Sequence, residues 1–378
     1  MLTRQRLVTF GIPSAAAATI ALAAGLSPWS QTTTEPGSAA RPPMTSGSHQ
    51  VDVVFAVDTT GSMGGLIDGA KRTVFSIANH IRKADANADV RIGLVAYRDV
   101  GDEYVTRDFA LTTDLDAVFA ELSSYEAAGG GDTPEDVDAA LDVALHKMRW
   151  RTGAKKLVFV VGDAPPASRG DVPTFDVLAR EAASKQIVIN TIRAGHDPDT
   201  ASTFQQIAML GGGEFSSIQQ DGGVQQIATP YDDRMAELSA RIDRGALIVG
   251  DEGARRAYAG KMAAAEAAPA PAKADRASYY ATKGGAGRAS EDLVGGFADG
   301  TVNLDAVPAA ALPSDLAGMD KPTMRAELER RASERKATQA EIATLARERD
   351  AYLAKDAAPG GGEGFDAKVK ATVEKQLK

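Results

Sequence analysis

Between Tyr97 and Tyr104 the chain reads only RDVGDE, and this link restricts the possible folds more than any other stretch. It joins two β-type runs, VRIGLVAY (90–97) and YVTRDFAL (104–111). Parallel neighbours need a crossover of a dozen or more residues, so these two must pair antiparallel. Elsewhere the pattern is different. VDVVFAV (51–57), KLVFVV (156–161), IVINTI (187–192) and GEFSSI (213–218) read as strands, several of them continuously apolar. Helical periods separate most of them, at 66–84, 114–127, 134–150, 175–184 and 201–210, with a closing helix at 232–243. Strands alternating with helices predict an α/β fold: a doubly wound, mostly parallel six-stranded sheet with one antiparallel strand, covered on both faces.

The reversal also decides which loops share one end of the sheet. If the run 51–57 ends at the top, the run 104–111 ends at the bottom, and the helix after it climbs to deliver GGGDTPE (129–135) at the top. The next helix descends, the run 156–161 climbs, and VGDAPP (161–166) arrives there as well. Open α/β sheets bind ligands at the carboxyl ends of their strands. The three loops there supply Asp58, Thr60 and Ser62; then Asp132 and Thr133; then Asp163. All are oxygen donors, which suits a hard cation. Taken singly, Thr133 before Pro134 and Ser62 before Gly64 also read as helix caps. Caps do not explain why acids stand at 58 and 163, at the ends of buried strands. Asp99, Asp102 and Glu103 in the hairpin, and Arg193 and His196 after the run 187–192, fall around the rim, where solvated charge explains them equally well. The glycines at 129–131 let the backbone turn tightly beside an ion.

These segments resemble the metal-ion-dependent adhesion site of von Willebrand factor type A domains. DTTGSM (58–63) is similar to that family's DxSxS motif, with Thr60 in place of the first serine, and GGGDTPE and VGDAPP follow in the family's order. The likeness covers about residues 49–245 and does not reach 250–378. It implies that Thr60, Ser62 and Thr133 present hydroxyls directly to Mg²⁺ or Mn²⁺, while Asp58 and Asp163 act mainly through bound water, or one of them directly. Mg²⁺ takes about six oxygens, and mostly neutral ligands leave it short of negative charge. An Asp or Glu carboxylate of a partner protein would fill that deficit. The expected function is therefore an exported, bacterial-type interaction module without catalysis.

Other function classes find less support. A net charge of −9 with no extended Lys/Arg face argues against nucleic acid as a partner. The absence of cysteine excludes disulfides, thiolate metal sites and thiol nucleophiles. GGLIDGAKRT lacks the Gly-Lys-Ser/Thr ending of a P-loop, no GxSxG occurs, and none of the four histidines pairs with another at ligand spacing. Two alternatives stand beside the main reading: a purely structural metal with partner binding through the C-terminal helix, and a metal-dependent hydrolase.

Arg4 and Arg6 precede an apolar stretch at 7–26 that ends in small residues, so 1–30 reads as a signal peptide or, uncleaved, as a membrane anchor. Either places the protein outside the cytoplasm: periplasmic, secreted, or held on the outer face of the membrane through that segment alone. Residues 31–48, rich in Pro, Gly, Ser and Thr, read as a flexible linker and 49–245 as the type A domain. Residues 246–320 read as a linker with a small lobe, 321–356 as a charged helix whose thin stripe is broken at Arg335 and Gln339, and 357–378 as a Gly-rich mobile tail.

Overall fold

The computed structural model describes residues 49–131, 134–167, 169–282, 289, 291–356 and 363–377; the expected leader and linker at 1–48 lie outside them. Six strands form one sheet: β1 (Gln50–Asp58), β2 (Asp89–Tyr97), β3 (Thr106–Thr112), β4 (Lys155–Gly162), β5 (Ile187–Ala194) and β6 (Gly212–Ile218). Their order is β3-β2-β1-β4-β5-β6. Every neighbouring pair is parallel except β2 with β3, as the short link RDVGDE requires. β1 lies inside the sheet and is buried from Val51 to Asp58.

Alternation along β1 assigns its side chains to two cores. Val53, Phe55 and Val57 enter the cluster that includes Leu66, Ile77 and Phe119, from the helices α1 (Gly64–Ala84) and α2 (Leu115–Ser123). Val54 and Ala56 enter the opposite cluster with Leu141, Leu178 and Phe204, from α3 (Val137–His146), α4 (Phe175–Ser184) and α5 (Pro198–Leu210). A sheet covered on both faces can be apolar throughout its central strands, which is why VDVVFAV shows no polar alternation beyond Asp52. Asp52 is itself satisfied by Arg91 and Arg151, which hold its carboxyl below the usual range against the opposing effect of burial.

Several helix ends differ from the sequence reading by two to four residues, and two of these differences shape the loops of the upper end. α2 stops at Ser123, short of 127, and the chain then leaves the helical path so that the Ala128 amide donates to the Thr59 carbonyl at 3.1 Å. α3 starts at Val137, and its cap is Asp136, which accepts from the Ala139 amide at 2.9 Å. The capping role open to Thr133 is thus already filled.

The C-terminal third departs furthest from expectation. The stretch read as a linker contains α7 (Glu252–Ala267) and α8 (Ala270–Thr282), after α6 (Asp232–Arg244). Alanine is the best helix former, and Pro271 lies in the first turn of α8, where a missing N–H costs little. Tyr279 and Tyr280 of α8 enter the first core beside Phe75. Arg276, also on α8, is buried and binds Asp116 of α2 and Asp243 of α6. A further cluster forms where α9 (Leu293–Ala298) brings Leu293 and Val294 against Leu247, Leu304, Leu316 and Leu328.

The 36-residue helix α10 (Lys321–Asp356) packs through a stripe in which Leu328, Ile342 and Ala346 alternate with Arg335 and Arg349. Sequence reading treats Arg335 as a break in that stripe, yet it is buried and paired with Asp292. Arg349 is likewise buried between Asp232 and Asp275. A charge can stand in an apolar seam where a partner meets it there.

The mobile tail expected at 357–378 is corrected over its described part. α11 (Phe365–Leu377) carries Phe365, Val369 and Val373 at helical spacing into the first core. The Phe365 ring lies 6.1 Å from that of Phe55, and Gln376 exchanges hydrogen bonds with Asn190 of β5. The glycines ahead of Phe365 disguise a short amphipathic helix as a tail. Truncating a buried Phe costs ~3–5 kcal/mol through lost burial and the cavity left behind. Phe365→Ala is therefore expected to lower the urea unfolding midpoint of the whole chain, whereas a tail outside the cooperative unit would leave the midpoint where it was.

Candidate metal centre

β1 ends in Asp58, and its carboxylate is enclosed by its own loop on one side. Asp58 Oδ1 accepts from the Thr60 amide at 2.8 Å and from the Thr60 hydroxyl at 2.7 Å. Thr60 Oγ1 lies 3.4 Å from Ser62 Oγ, so the two hydroxyls stand side by side next to the acid. Ser62 sits in a 3₁₀ turn (Gly61–Met63), and no side-chain cap closes the start of α1, so Ser62 does not serve as the cap it resembles.

The glycine loop folds over this group. The Gly61 amide donates to the Gly129 carbonyl at 3.2 Å, and the Gly130 amide bonds Asp102 at 3.2 Å. Gly129 and Gly130 both adopt positive φ, 76° and 77°, which side chains disfavour. A Cβ on Gly130 would stand 3.1 Å from the Cβ of Thr60. The space between the two loops exists because the chain has glycine there.

β4 delivers Asp163 beside Asp58. At Gly162, just before it, a Cβ would lie 2.3 Å from the Tyr97 hydroxyl and 3.3 Å from Asp58 Oδ2, so glycine keeps the strand end open toward the buried carboxylate. Asp163 Oδ2 accepts from Gln220 Nε2 at 2.6 Å, and the same nitrogen lies 3.2 Å from the Ser62 carbonyl. Gln220, just beyond β6, therefore ties the first and third loops together. Nothing in its sequence context marks it.

Glu135 is the second residue that sequence reading passed over. Its amide donates to the Pro165 carbonyl at 3.1 Å and its carbonyl accepts from the Ala167 amide at 2.8 Å, a short parallel bridge between the second and third loops. The side chain is 3% exposed, and its Oε2 has no hydrogen-bond partner among the described residues. In sequence, an acid after Thr-Pro looks like an ordinary first-turn helix residue. Burial pushes its carboxyl up to about 8, and the charges of Asp58, Asp99, Asp102 and Asp163 add to that.

Asp58 is equally constrained. It is fully buried, and its Oδ2 has no partner among the described residues. Burial pushes its carboxyl up to about 7; the Thr60 hydrogen bonds and the nearby Asp163 backbone amide oppose that rise, and the Asp163 charge adds to it. No ion pair joins Asp58 or Asp163 to an Arg or Lys among the described residues, although Arg98 lies close by with its Nε on the Thr59 carbonyl. Among those residues no group of three or more His, Cys, Asp or Glu is arranged to hold a metal unaided. A cation here would rest on the Thr60 and Ser62 hydroxyls beside the acids. The orphaned Asp58 oxygen, the glycine-lined opening and the all-oxygen donor set fit a hard divalent ion.

The other expected residues divide. Asp132 and Thr133 lie outside the described residues. Asp99 is a buried partner of Arg169, so it is not a freely solvated rim charge. Arg193 donates to the Asp197 carbonyl at 2.9 Å, and His196 is exposed; neither hydrogen-bonds the Asp58 loop among the described residues.

The profile of the von Willebrand factor A domain family matches residues 52–220, a span that begins in β1 and ends at Gln220. Over that span the sequence and the sheet order are those of a von Willebrand factor A domain. Among similar proteins, the alpha-protein kinase vwkA of Dictyostelium discoideum is 31% identical over 121 residues, 31% of this chain and 19% of that protein. The von Willebrand factor A domain-containing protein 7 of Rattus norvegicus is 29% identical over 194 residues, 49% of this chain and 21% of that protein. The chain thus spans only about a fifth of the length of these relatives. Among solved structures, the conserved hypothetical protein BatB from Bacteroides thetaiotaomicron aligns with 45% of this chain and 90% of its own at 16% identity, with a TM-score of 0.36.

The A domain's buried acids fix the sign of a pH effect. Both folded values, about 7 for Asp58 and about 8 for Glu135, lie above the ordinary 3.8 and 4.5, so between those limits the folded state holds more protons than the unfolded. Their contribution to stability is present at low pH and is lost as pH rises, by up to ~1.4 kcal/mol per pH unit for each group. In EDTA, the melting temperature is expected to fall from pH 5 to pH 8, and Asp58→Asn to flatten that slope. A slope unchanged in the variant would show that Asp58 is not one of the groups responsible.

Proposed function

We propose that the von Willebrand factor A domain of this chain binds a divalent cation, Mg²⁺ or Mn²⁺, and through it captures an acidic group of a partner protein. One observation carries the reading: a fully buried carboxylate, Asp58, keeps an oxygen without a partner beside a second acid and two hydroxyls, with no Arg or Lys paired to either acid among the described residues. Burying an ionised acid without a counter-charge costs several kcal/mol unless the acid takes up a proton or meets a cation.

Thr60 and Ser62 would hold the ion, with Thr133 beside them as the family resemblance implies, and Asp58 and Asp163 would supply the negative charge. A bound cation would supply unspent positive charge at the mouth of the loops. The residues' own part is to keep the ion under-neutralised: the hydroxyls are neutral, and Gln220 already occupies one Asp163 oxygen. An incoming Asp or Glu side chain would complete the charge balance, which is recognition without turnover.

The rival reading, partner binding through the charged helix, meets a structural obstacle. The stripe of α10 is already spent inside the chain, on α6, α8 and α9. Delivery outside the cytoplasm remains part of the proposal and rests on the sequence of 1–30. No helix among the described residues is long and apolar enough to cross a membrane.

The test has two stages. Mg²⁺ or Mn²⁺ is expected to raise the melting temperature at pH 8 in a saturable way, since a ligand that binds only the folded form stabilises it. The affinity should weaken as pH falls through about 7, where Asp58 takes up a proton. Absence of any response to either ion would reject the metal site. Capture of proteins from an envelope extract should then be seen with wild-type chain in Mg²⁺ and lost in EDTA and in Asp163→Ala. A melting response without such cation-dependent capture would make the metal structural.

A further inference from the structure

The two acids of the candidate metal centre are each held by the protein through one oxygen. Asp58 Oδ1 takes both the amide and the hydroxyl of Thr60, and only Oδ2 is left over. At Asp163 the holder comes from elsewhere in the chain: Oδ2 accepts from Gln220 Nε2 at 2.6 Å, which leaves Oδ1 as the oxygen this acid can offer. The Thr60 contacts follow from two residues of local backbone. The Gln220 contact has to be built.

Gln220 is exposed, so no core packing fixes its side chain, and its position comes from the turn that carries it. The Gly222 amide closes that turn on the Gln219 carbonyl at 2.9 Å, and Asp221 Oδ1 accepts from the Gly223 amide at 2.9 Å. The turn lies directly on the start of α1, where a Cβ on Gly65 would stand 2.9 Å from the Asp221 Cα. On the other side, a Cβ on Gly195 would meet Gln220 Oε1 at 2.3 Å, and Gly195 has a φ of 73°. The amide group thus occupies a slot between the end of β5 and the start of α1. Its orientation is decided by its neighbours: Asp163 Oδ2 and the Ser62 carbonyl are both acceptors, so the nitrogen end must face them.

We propose that Gln220 is the residue that sets which divalent ion the loops accept, favouring Mg²⁺ over Ca²⁺ by withholding one oxygen of Asp163; this rests on the metal reading given above. Ca²⁺ takes six to eight oxygens at ~2.3–2.6 Å and commonly grips a carboxylate through both, whereas Mg²⁺ takes six at ~2.0–2.1 Å in a strict octahedron. Thr60 removes the two-oxygen grip at Asp58, and Gln220 removes it at Asp163. A cradle limited to one oxygen from each acid serves the smaller ion and starves the larger. The chemistry of the holder matters as well. A Lys or Arg at 220 would also occupy Asp163 but would cancel the charge a cation needs, while a neutral amide restrains the carboxylate and leaves it ionised.

The experiment is calorimetric titration of the full chain with MgCl₂ and with CaCl₂ at pH 8, where Asp58, with its carboxyl at about 7, is mostly ionised. Wild-type chain is expected to bind Mg²⁺ more tightly than Ca²⁺. Gln220→Met, which keeps the length of the side chain and removes its N–H, should lower the ratio of the Ca²⁺ to the Mg²⁺ dissociation constant at least tenfold, chiefly by tightening Ca²⁺. Gln220→Ala should move it in the same direction, with a circular dichroism spectrum like that of the wild type in both variants. A merely structural role for Gln220 would weaken both ions together and leave the ratio in place. The inference is overturned if the wild type binds Ca²⁺ as tightly as Mg²⁺, or if the ratio is unchanged in the two variants while the wild type still binds Mg²⁺. Binding of neither ion by the wild type would instead reject the metal reading itself, and this inference with it.

Discussion

Parallel pairing of β1 with β4, in register from Val51 opposite Lys155 to Val57 opposite Val161, brings two strand ends together so that the buried Asp58 stands near the partly exposed Asp163. The Asp163 charge opposes ionisation of Asp58, and burial raises the cost of charging Asp58 further. The sheet cannot relieve the conflict by turning a side chain outward, because the register that buries Val53, Phe55 and Val57 also fixes the direction of Asp58. What surrounds the pair accommodates it: Thr60 donates twice to one oxygen, Gln220 occupies one of the neighbour's, and glycines at 129, 130 and 162 hold side chains away from the opening. The energetic strain is concentrated on Asp58 Oδ2 and Glu135 Oε2.

Much of this frame was legible in the residues. RDVGDE forces a reversal by its length alone, and from that reversal the convergence of the loops at 58–63, 129–135 and 161–166 follows by tracing direction. Asp58, Thr60, Ser62 and Asp163 are local to strand ends and so could be found by pattern. Gln220 and Glu135 could not. Gln220 reaches the first and third loops only because β6 is the far strand of a particular order, and Glu135 is buried by a bridge to Pro166 that no local pattern encodes. Local periodicity reports which way a residue faces within its own element, and says little about which distant loop lies over it.

The C-terminal third was harder for a different reason. Its helices have no broad apolar face of their own: α10 alternates Leu328 and Ile342 with Arg335 and Arg349, and α8 buries Arg276 together with two tyrosines. Each arginine is compatible with the interior only where an aspartate from another helix meets it, so burial depends on pairings across many tens of residues. Replacing such a pair by well-packed apolar residues is often neutral or favourable, whereas removing one member is strongly destabilising. The pairs therefore select this arrangement of helices over near alternatives more than they add to its stability, and a composition-based reading sees only charge.

The segment from Gln219 to Gly223 belongs to both halves of the molecule. At one end the Gln220 amide group grips Asp163 and the Ser62 carbonyl; two residues on, the Gly222 carbonyl receives the Phe365 amide at 2.8 Å and so anchors the first turn of α11. A change in what Gln220 holds would be transmitted over two residues of backbone to the mooring of the final helix. Any ligand that favoured one posture of that short bridge would tighten or loosen α11, and by reciprocity a clamp on α11 would alter the ligand's affinity to the same degree.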